Sequence, residues 1–337
     1  MNISFFDEKP ILDELDIKSD ILNKLKHINI DQLLNLAVYG APSCGKTTNI
    51  YAFLATILDR KVYDLKNVIF EEDRKTMYYK SSIYHIEIDP IQLGSNEKLF
   101  MQTFLKPYIE TKNIGLSIPK IILIKNANLL SKQTQLALRK NIESASSTAK
   151  FIFELSNLSN FSNTLISRCF LIRISLPKIE EVRNILINYT IKKNYDISET
   201  IINEIIDDNI KIDSTINLKK IFGYYRYYIC TRKKFNFLYY NKFKDIIDLI
   251  YTKKISFITL QKIRDIVNEI YINLVPMKEL LLYLLNKLID MNINNNIMIY
   301  KIIDLTVKCD INLSKGNKDC IHLEYYIISI IDIIHNK

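Results

Sequence analysis

An eight-residue segment, GAPSCGKT at residues 40–47, constrains this chain more than any other part of it. It has the spacing G-x-x-x-x-G-K-[ST] and lies between the apolar run LNLAVY and a helix-like run TTNIYAFLATIL. Gly40 and Gly45 let the backbone turn so that successive amide groups point into one concavity, and the helix that follows adds its positive end. The segment therefore predicts a phosphate cradle made of Gly40, Ala41, Pro42, Ser43, Cys44, Gly45, Lys46, Thr47 and Thr48. In it Lys46 reaches the outer phosphates and Thr47 holds a magnesium ion. Cys44 reads either as an oxidisable thiol or as a small side chain that fits the loop.

A strand, a phosphate loop and a helix need a sheet to hang from, and the first half of the chain supplies one. Five short β-rich runs, at 36–39, 83–88, 121–124, 151–155 and 170–174, alternate with helical stretches. Such alternation predicts a parallel sheet with helices on both faces, because a parallel crossover needs a dozen or more residues to return. The sheet is expected to end near Pro177, after which EEVRNILINYTIKK, SETIINEIIDD and residues 218–228 carry helical periodicity. In the last hundred residues Leu260, Ile263, Val267, Ile270 and Leu274 recur at steps of three and four, and Pro276 suits the first turn of a new helix. Leu280, Leu281, Leu284, Leu285 and Leu288 continue as an apolar face, and two further helices follow. The expected organisation is a nucleotide-binding part over 1–176, a helical lid over 177–235 and an all-helical region over 236–337.

Composition narrows the function classes. With 337 residues, 48% of them hydrophobic and 25% charged, the chain has material for two or three cores and is neither disordered nor a stapled mini-protein. The five cysteines form no CxxC pair and there are four histidines, which argues against a zinc ribbon and for a reducing interior. No apolar run reaches the ~20 residues of a membrane span, so a soluble, unsecreted chain without a membrane partner is expected. The formal charge of +9 favours a polyanionic partner. Its densest source is 214–244, where eight basic residues and ten Tyr or Phe occur with no acid, a pattern that fits a base-stacking platform or ordinary helix packing.

The third predicted strand departs from what a phosphate-loop ATPase needs. Such an enzyme ends a later strand with an acid for the metal and another that activates water. Here the run is KIILIKNANLL, with Lys125, Asn126, Ala127 and Asn128 where acids belong. Asparagine cannot take a proton from water, so no useful hydrolysis is expected at this chain's own site. Lys125 is a candidate to replace part of the metal's positive charge.

Further motifs then fall in a fixed order: LSKQTQLALRKNIE after the third strand, FIFELSN on the fourth, and SRC at Ser167, Arg168 and Cys169 opening the fifth. INLKKIF (216–222), SIYHIEIDP (82–90) and NKDCIHLEYYI near the C-terminus extend the series. Together these resemble the small subunits of replication factor C, the AAA+ sliding-clamp loader, and the last two point to the subunit-3 type. The usual N-terminal box survives only as FDEKP (6–10), and the acid box is lost. The resemblance implies a fold: an AAA+ P-loop domain with a five-stranded parallel sheet, then a helical lid and an all-α C-terminal collar. It also implies ATP or ADP as ligand, with magnesium if Thr47 binds it.

The resemblance further makes Asn157 the sensor-1 residue, where a plain turn asparagine is the alternative, and Lys219 the lid's nucleotide contact, where a solvated helix face serves equally well. It makes Arg168 an arginine finger that reaches the nucleotide of a neighbouring subunit, otherwise a surface ion-pair residue. Helices lining the inside of a spiral would place Lys98, Arg139 and Lys150 against DNA backbone phosphates. The implied partners are other loader subunits in a hetero-oligomer, as a pentamer, together with a PCNA-type sliding clamp and primer-template DNA in a nuclear or replication compartment. Two other readings compete: an active ATPase subunit borrowing Glu87 or Asp89, and a self-assembling DNA remodeller or helicase.

Overall fold

The computed structural model describes residues 9–15, 22, 25, 27, 32–72, 74–111, 118–145, 147–213, 216–232, 238–252, 256–272, 277–292, 295–315 and 318–335. Its strands are β1 (Leu36–Tyr39), β2 (Lys66–Glu72), β3 (Lys75–Ser81), β4 (His85–Ile88), β5 (Lys120–Ile124), β6 (Ala149–Leu155) and β7 (Phe170–Arg173). They form one sheet in the order β2-β3-β4-β5-β6-β1-β7. The five expected strands are the run from β4 to β7, and each pairs parallel with its neighbours there.

The sheet is nonetheless seven-stranded, not five. An antiparallel hairpin, β2 and β3, extends it at the β4 edge. The hairpin forms because its residues alternate: Val68, Phe70, Met77 and Tyr79 share one face, and Phe70 and Tyr79 pack on Phe100 and Phe104. Ile69 and Tyr78 point the other way and are exposed. β4 starts two residues later than its apolar run because the Ser82 hydroxyl accepts hydrogen bonds from the amides of Tyr84 and His85, holding a turn there.

The same period of two sorts the core. Leu36, Val38, Ile121, Leu123 and Ile152 face helix α1 (Lys46–Ile57), whose Ile50, Phe53 and Leu54 are buried against them. Ala37, Ile122, Ile124, Phe151 and Phe153 face the opposite way, onto Leu138 and Ile142 of helix α2 (Lys132–Ser144). α2 begins at Ser131, whose hydroxyl accepts from the Thr134 amide as an N-cap.

Beyond β7, helices α3 (Ile179–Lys192), α4 (Glu199–Asp213) and α5 (Leu218–Thr231) follow the predicted periodicity. They bury a core of their own around Val182, Leu186, Ile202, Ile206, Ile221 and Tyr225. Asn194 takes the left-handed conformation that closes α3, a role asparagine tolerates.

The chain divides into two compact units, Met1–Cys230 and Thr231–Lys337. The second is helical: α6 (Leu238–Thr252), α7 (Phe257–Ile272), α8 (Met277–Met291), α9 (Asn296–Lys315) and α10 (Asp319–His335). Ile263, Val267 and Ile270 of α7 are buried, as are Leu280, Leu284 and Leu288 of α8. Leu274 and Pro276 lie outside the described residues. Thr306 and Tyr326 join their hydroxyls at 2.9 Å between α9 and α10. Among the described residues no helix is long and apolar enough to cross a membrane.

Candidate nucleotide site

The phosphate loop runs from the end of β1 to the start of α1, as its glycines require. Gly45 has φ +92°, a left-handed conformation that side chains avoid, and Ser43 also turns left-handed. Gly40 is fixed by space: a Cβ there would stand 2.2 Å from the Ile174 carbonyl oxygen. Lys46 is buried and folds back, its ammonium donating to the carbonyls of Gly40 at 2.9 Å and Ala41 at 2.8 Å. Cys44 is buried in the same core, and burial pushes its thiol pKa up, which favours the small-side-chain reading over a reactive thiol.

The N-terminal segment docks at the other end of α1 and on the turn that follows it. Leu12 is buried against α1 and its amide donates to Thr56 Oγ1 at 3.0 Å. Tyr63 donates to the Pro10 carbonyl at 2.7 Å, and Lys9 and Glu14 pair with Asp64 and Arg60. Residues 6–8 of the FDEKP box lie outside the described residues.

Beneath the loop lies a polar cluster that the sequence reading did not assemble. Thr47 Oγ1 donates to Glu154 Oε1 at 2.9 Å. Glu154 lies on β6 opposite Val38 of β1 and is 9% exposed. Its second oxygen is buried and has no hydrogen-bond partner among the described residues. Burial raises its pKa, while the positive charge of Lys125 pulls it back down. The end of β5 lacks an acid, but β6 brings one to the Thr47 hydroxyl. The signal was the lone acid in the apolar run FIFEL, which strand alternation puts on the α1 face with Ile152.

Lys125, in turn, pairs with a carboxylate. Its ammonium sits 3.2 Å from Glu87 Oε1. Glu87, 4% exposed, also meets the Tyr51 hydroxyl and, at 3.9 Å, Lys80. Asn126 adopts a left-handed conformation and donates to Asp89 Oδ1 at 3.2 Å, and the same oxygen accepts from the Ile91 amide. Asn128 accepts from the Ser156 amide at 3.2 Å. Glu87 and Asp89, the acids that an active-ATPase reading would borrow, are both held by these partners.

His85 completes the cluster. Its Nδ1 lies 2.7 Å from Ser82 Oγ, and its Nε2 is buried without a partner among the described residues. Burial pushes its pKa down to about 4, with Lys125 adding to the fall and Glu87 opposing it. A histidine with a depressed folded-state pKa leaves stability intact above its unfolded value of about 6.5 and withdraws it as pH falls towards 4. Between pH 7 and 5 the loss should be about 2 kcal/mol. Urea midpoints across that range measure it, and His85→Asn should flatten the slope. Glu154 acts in the opposite sense, so the difference between the two chains, not the raw slope, isolates the imidazole.

The remaining candidates are dispersed. Asn157 lies just past β6, exposed, and accepts from Ser159 Oγ at 2.9 Å. Arg168 follows a short helix (Asn163–Ile166) and its side chain is 30% exposed. Its guanidinium meets Glu143, whose carboxylate also pairs with Arg139 at 3.3 Å, and it donates to the Thr164 carbonyl at 2.7 Å. These two arginines hold the Glu143 pKa below the usual carboxylate range. Lys219 is exposed in the first turn of α5, and Lys98 is exposed on the helical stretch after β4. Lys150 is on β6, not on a helix as expected, because its neighbours are apolar and in register with Ile121 of β5. Among the described residues no three His, Cys, Asp or Glu side chains cluster to hold a metal by themselves.

The frame is a mostly parallel seven-stranded sheet with the GAPSCGKT loop between β1 and α1, three helices after β7 and a second, helical unit. Residues 245–337 match the family described as replication factor C subunit 3, C-terminal domain. A probable replication factor C subunit 3 of Dictyostelium discoideum is 30% identical over 198 residues, 55% of this chain and 56% of that one. Replication factor C subunit 5 of Saccharomyces cerevisiae is 30% identical over 191 residues, 52% of this chain and 54% of that one. A putative replication factor C small subunit of Acanthamoeba polyphaga mimivirus is 25% identical over 336 residues, 95% of this chain and 88% of that one. The chain spans about half the length of the first two relatives. The chain is thus similar to replication factor C subunits.

Proposed function

We propose that this chain is a subunit of a replication factor C-like clamp loader that binds ATP or ADP in its own cradle without hydrolysing it. The loss of acids from the end of β5, where Lys125 and Asn126 are tied to Glu87 and Asp89, carries this reading. The cradle supplies fixed amides, the Lys46 ammonium and the Thr47 hydroxyl; Asn157 and Lys219 add a polar contact at the sheet edge and one from the lid. Magnesium, when bound, neutralises phosphate charge and shapes the phosphate chain. Nothing on β5 takes a proton from water, so the bound triphosphate is a static ligand that sets the shape of the subunit.

Arg168 serves the neighbouring subunit. A guanidinium with part of its surface in water, paired with one exposed carboxylate, exchanges that partner for a phosphate at small cost. Residues 1–176 form the nucleotide-binding part, 177–235 the lid and 236–337 the collar that joins the hetero-oligomer, a pentamer. Lys98, Arg139 and Lys150 contact the backbone of primer-template DNA in a salt-dependent, sequence-independent way, and the assembly acts on a PCNA-type clamp in the replication compartment.

The isolated chain tests the first half of this reading. A fluorescent ADP or ATP analogue should bind, Lys46→Ala should weaken it roughly 10- to 100-fold, and turnover should stay at background. Magnesium-dependent turnover at the rate of an ordinary ATPase would overturn the static-ligand reading. Failure to co-purify with other loader subunits would overturn the assembly reading.

A further inference from the structure

The surroundings of Glu154 carry one step more, which rests on the reading of residues 40–47 as a nucleotide cradle. We propose that Glu154 supplies the carboxylate ligand of the magnesium ion accompanying a bound nucleotide, a duty moved from β5 to β6. Three observations converge on it. Strand register places Glu154 opposite Val38, one residue before the end of the strand that feeds the loop, on the face covered by α1. Its Oε1 already holds the hydroxyl of Thr47, the residue of the cradle whose chemistry suits a hard cation. Its Oε2 is buried with no partner among the described residues, so the carboxyl group is only half satisfied.

A buried carboxyl group with one oxygen unpartnered is an unfinished site. Lys125 does not finish it, because its ammonium is committed to Glu87. Lys46 does not either, because its ammonium donates to Gly40 and Ala41. Magnesium needs few protein ligands when phosphates and waters supply the rest, so Thr47 and Glu154 suffice as the protein's share. Both are oxygen donors, which is the fit a magnesium site requires. This arrangement gives the subunit a metal carboxylate without giving it a base: Glu154 holds the ion and Thr47, and β5 still offers nothing to activate water.

The full chain tests this. Affinity for a fluorescent ADP analogue is measured in magnesium and in EDTA. The native chain should bind roughly 10- to 100-fold more tightly in magnesium, the scale on which ligand-shell changes alter metal affinity. Glu154→Gln should match the native chain in EDTA but lose the magnesium gain. Glu154→Asp, which keeps the charge on a shorter arm, should keep part of the gain. Manganese as a paramagnetic probe adds a direct reading, since the resonance of the bound ion in the ADP complex should change with both substitutions. Glu154→Gln retaining the full gain, or a native chain that binds ADP equally well in EDTA, overturns the proposal and leaves the cradle standing. Absence of ADP binding under both conditions instead removes the nucleotide reading itself.

Discussion

An assembled loader carrying Arg168→Ala in this chain is expected to hydrolyse ATP roughly 10³-fold more slowly at the site shared with its neighbour, the scale on which arginine fingers act. Lys46→Ala in the same chain should leave that rate within about a factor of two, because on the proposed reading the cradle it disables does no chemistry. The asymmetry comes from the structure of the two positions. Arg168 sits after a short helix with part of its guanidinium in water, whereas Lys46 is buried and donates to carbonyls of its own loop. Arg168→Lys should rescue little, since an ammonium cannot present the planar fork to a phosphoryl group. Steady-state hydrolysis by the reconstituted assembly is the measurement. Equal severity of the two alanine changes would mean that this chain hydrolyses its own nucleotide, and a harmless Arg168→Ala would mean that the finger lies elsewhere.

The second large effect concerns folding. Lys125→Met should cost about 3 kcal/mol, because it strands a buried carboxylate. Glu87 would keep the Tyr51 hydroxyl and a distant Lys80, which is why the lower end of the range for broken buried pairs applies. Adding Glu87→Gln to Lys125→Met should recover most of the loss, since both charges are then gone. Urea midpoints at constant slope separate this from a change in the unfolded state. The same variant discriminates two roles for the lysine. If Lys125 stood in for the metal's charge at the phosphates, nucleotide affinity would fall and stability would hold. Restoring an acid here, as Lys125→Asp, should not restore hydrolysis, because it adds a third carboxylate beside Glu87 and Glu154.

The parts of the fold that were legible from sequence are those with local signatures. The phosphate loop has fixed spacing, the five parallel strands are apolar runs, and α3, α4, α5, α7 and α8 repeat their apolar residues at three and four. The hairpin was not read because its turn carries no Asn-Gly or Asp-Gly signal and its strands mix charges with apolar residues, although Val68, Phe70, Met77 and Tyr79 alternate. Lys150 was placed on a helix, yet a lysine that opens an apolar run belongs to the strand. The polar cluster was the least legible. Thr47 and Glu154 are separated by 107 positions, and a pairing of that kind follows only from sheet order and register. Glu154 itself could have been flagged, as the single acid in FIFEL. That Glu87 would be spent on Lys125 could not, since each is an ordinary residue until β4 and β5 lie side by side.

One contact links the two ends of the proposed machinery. Between Arg168 and the phosphate loop runs β7, four residues long, and its whole length is laced to β1 from Leu36 opposite Phe170 to Tyr39 opposite Arg173. At its far end Ile174 presses its carbonyl against Gly40 so closely that no side chain fits between them. The segment that carries Arg168 and the loop that carries Lys46 are therefore joined through four residues of paired backbone and one close carbonyl contact.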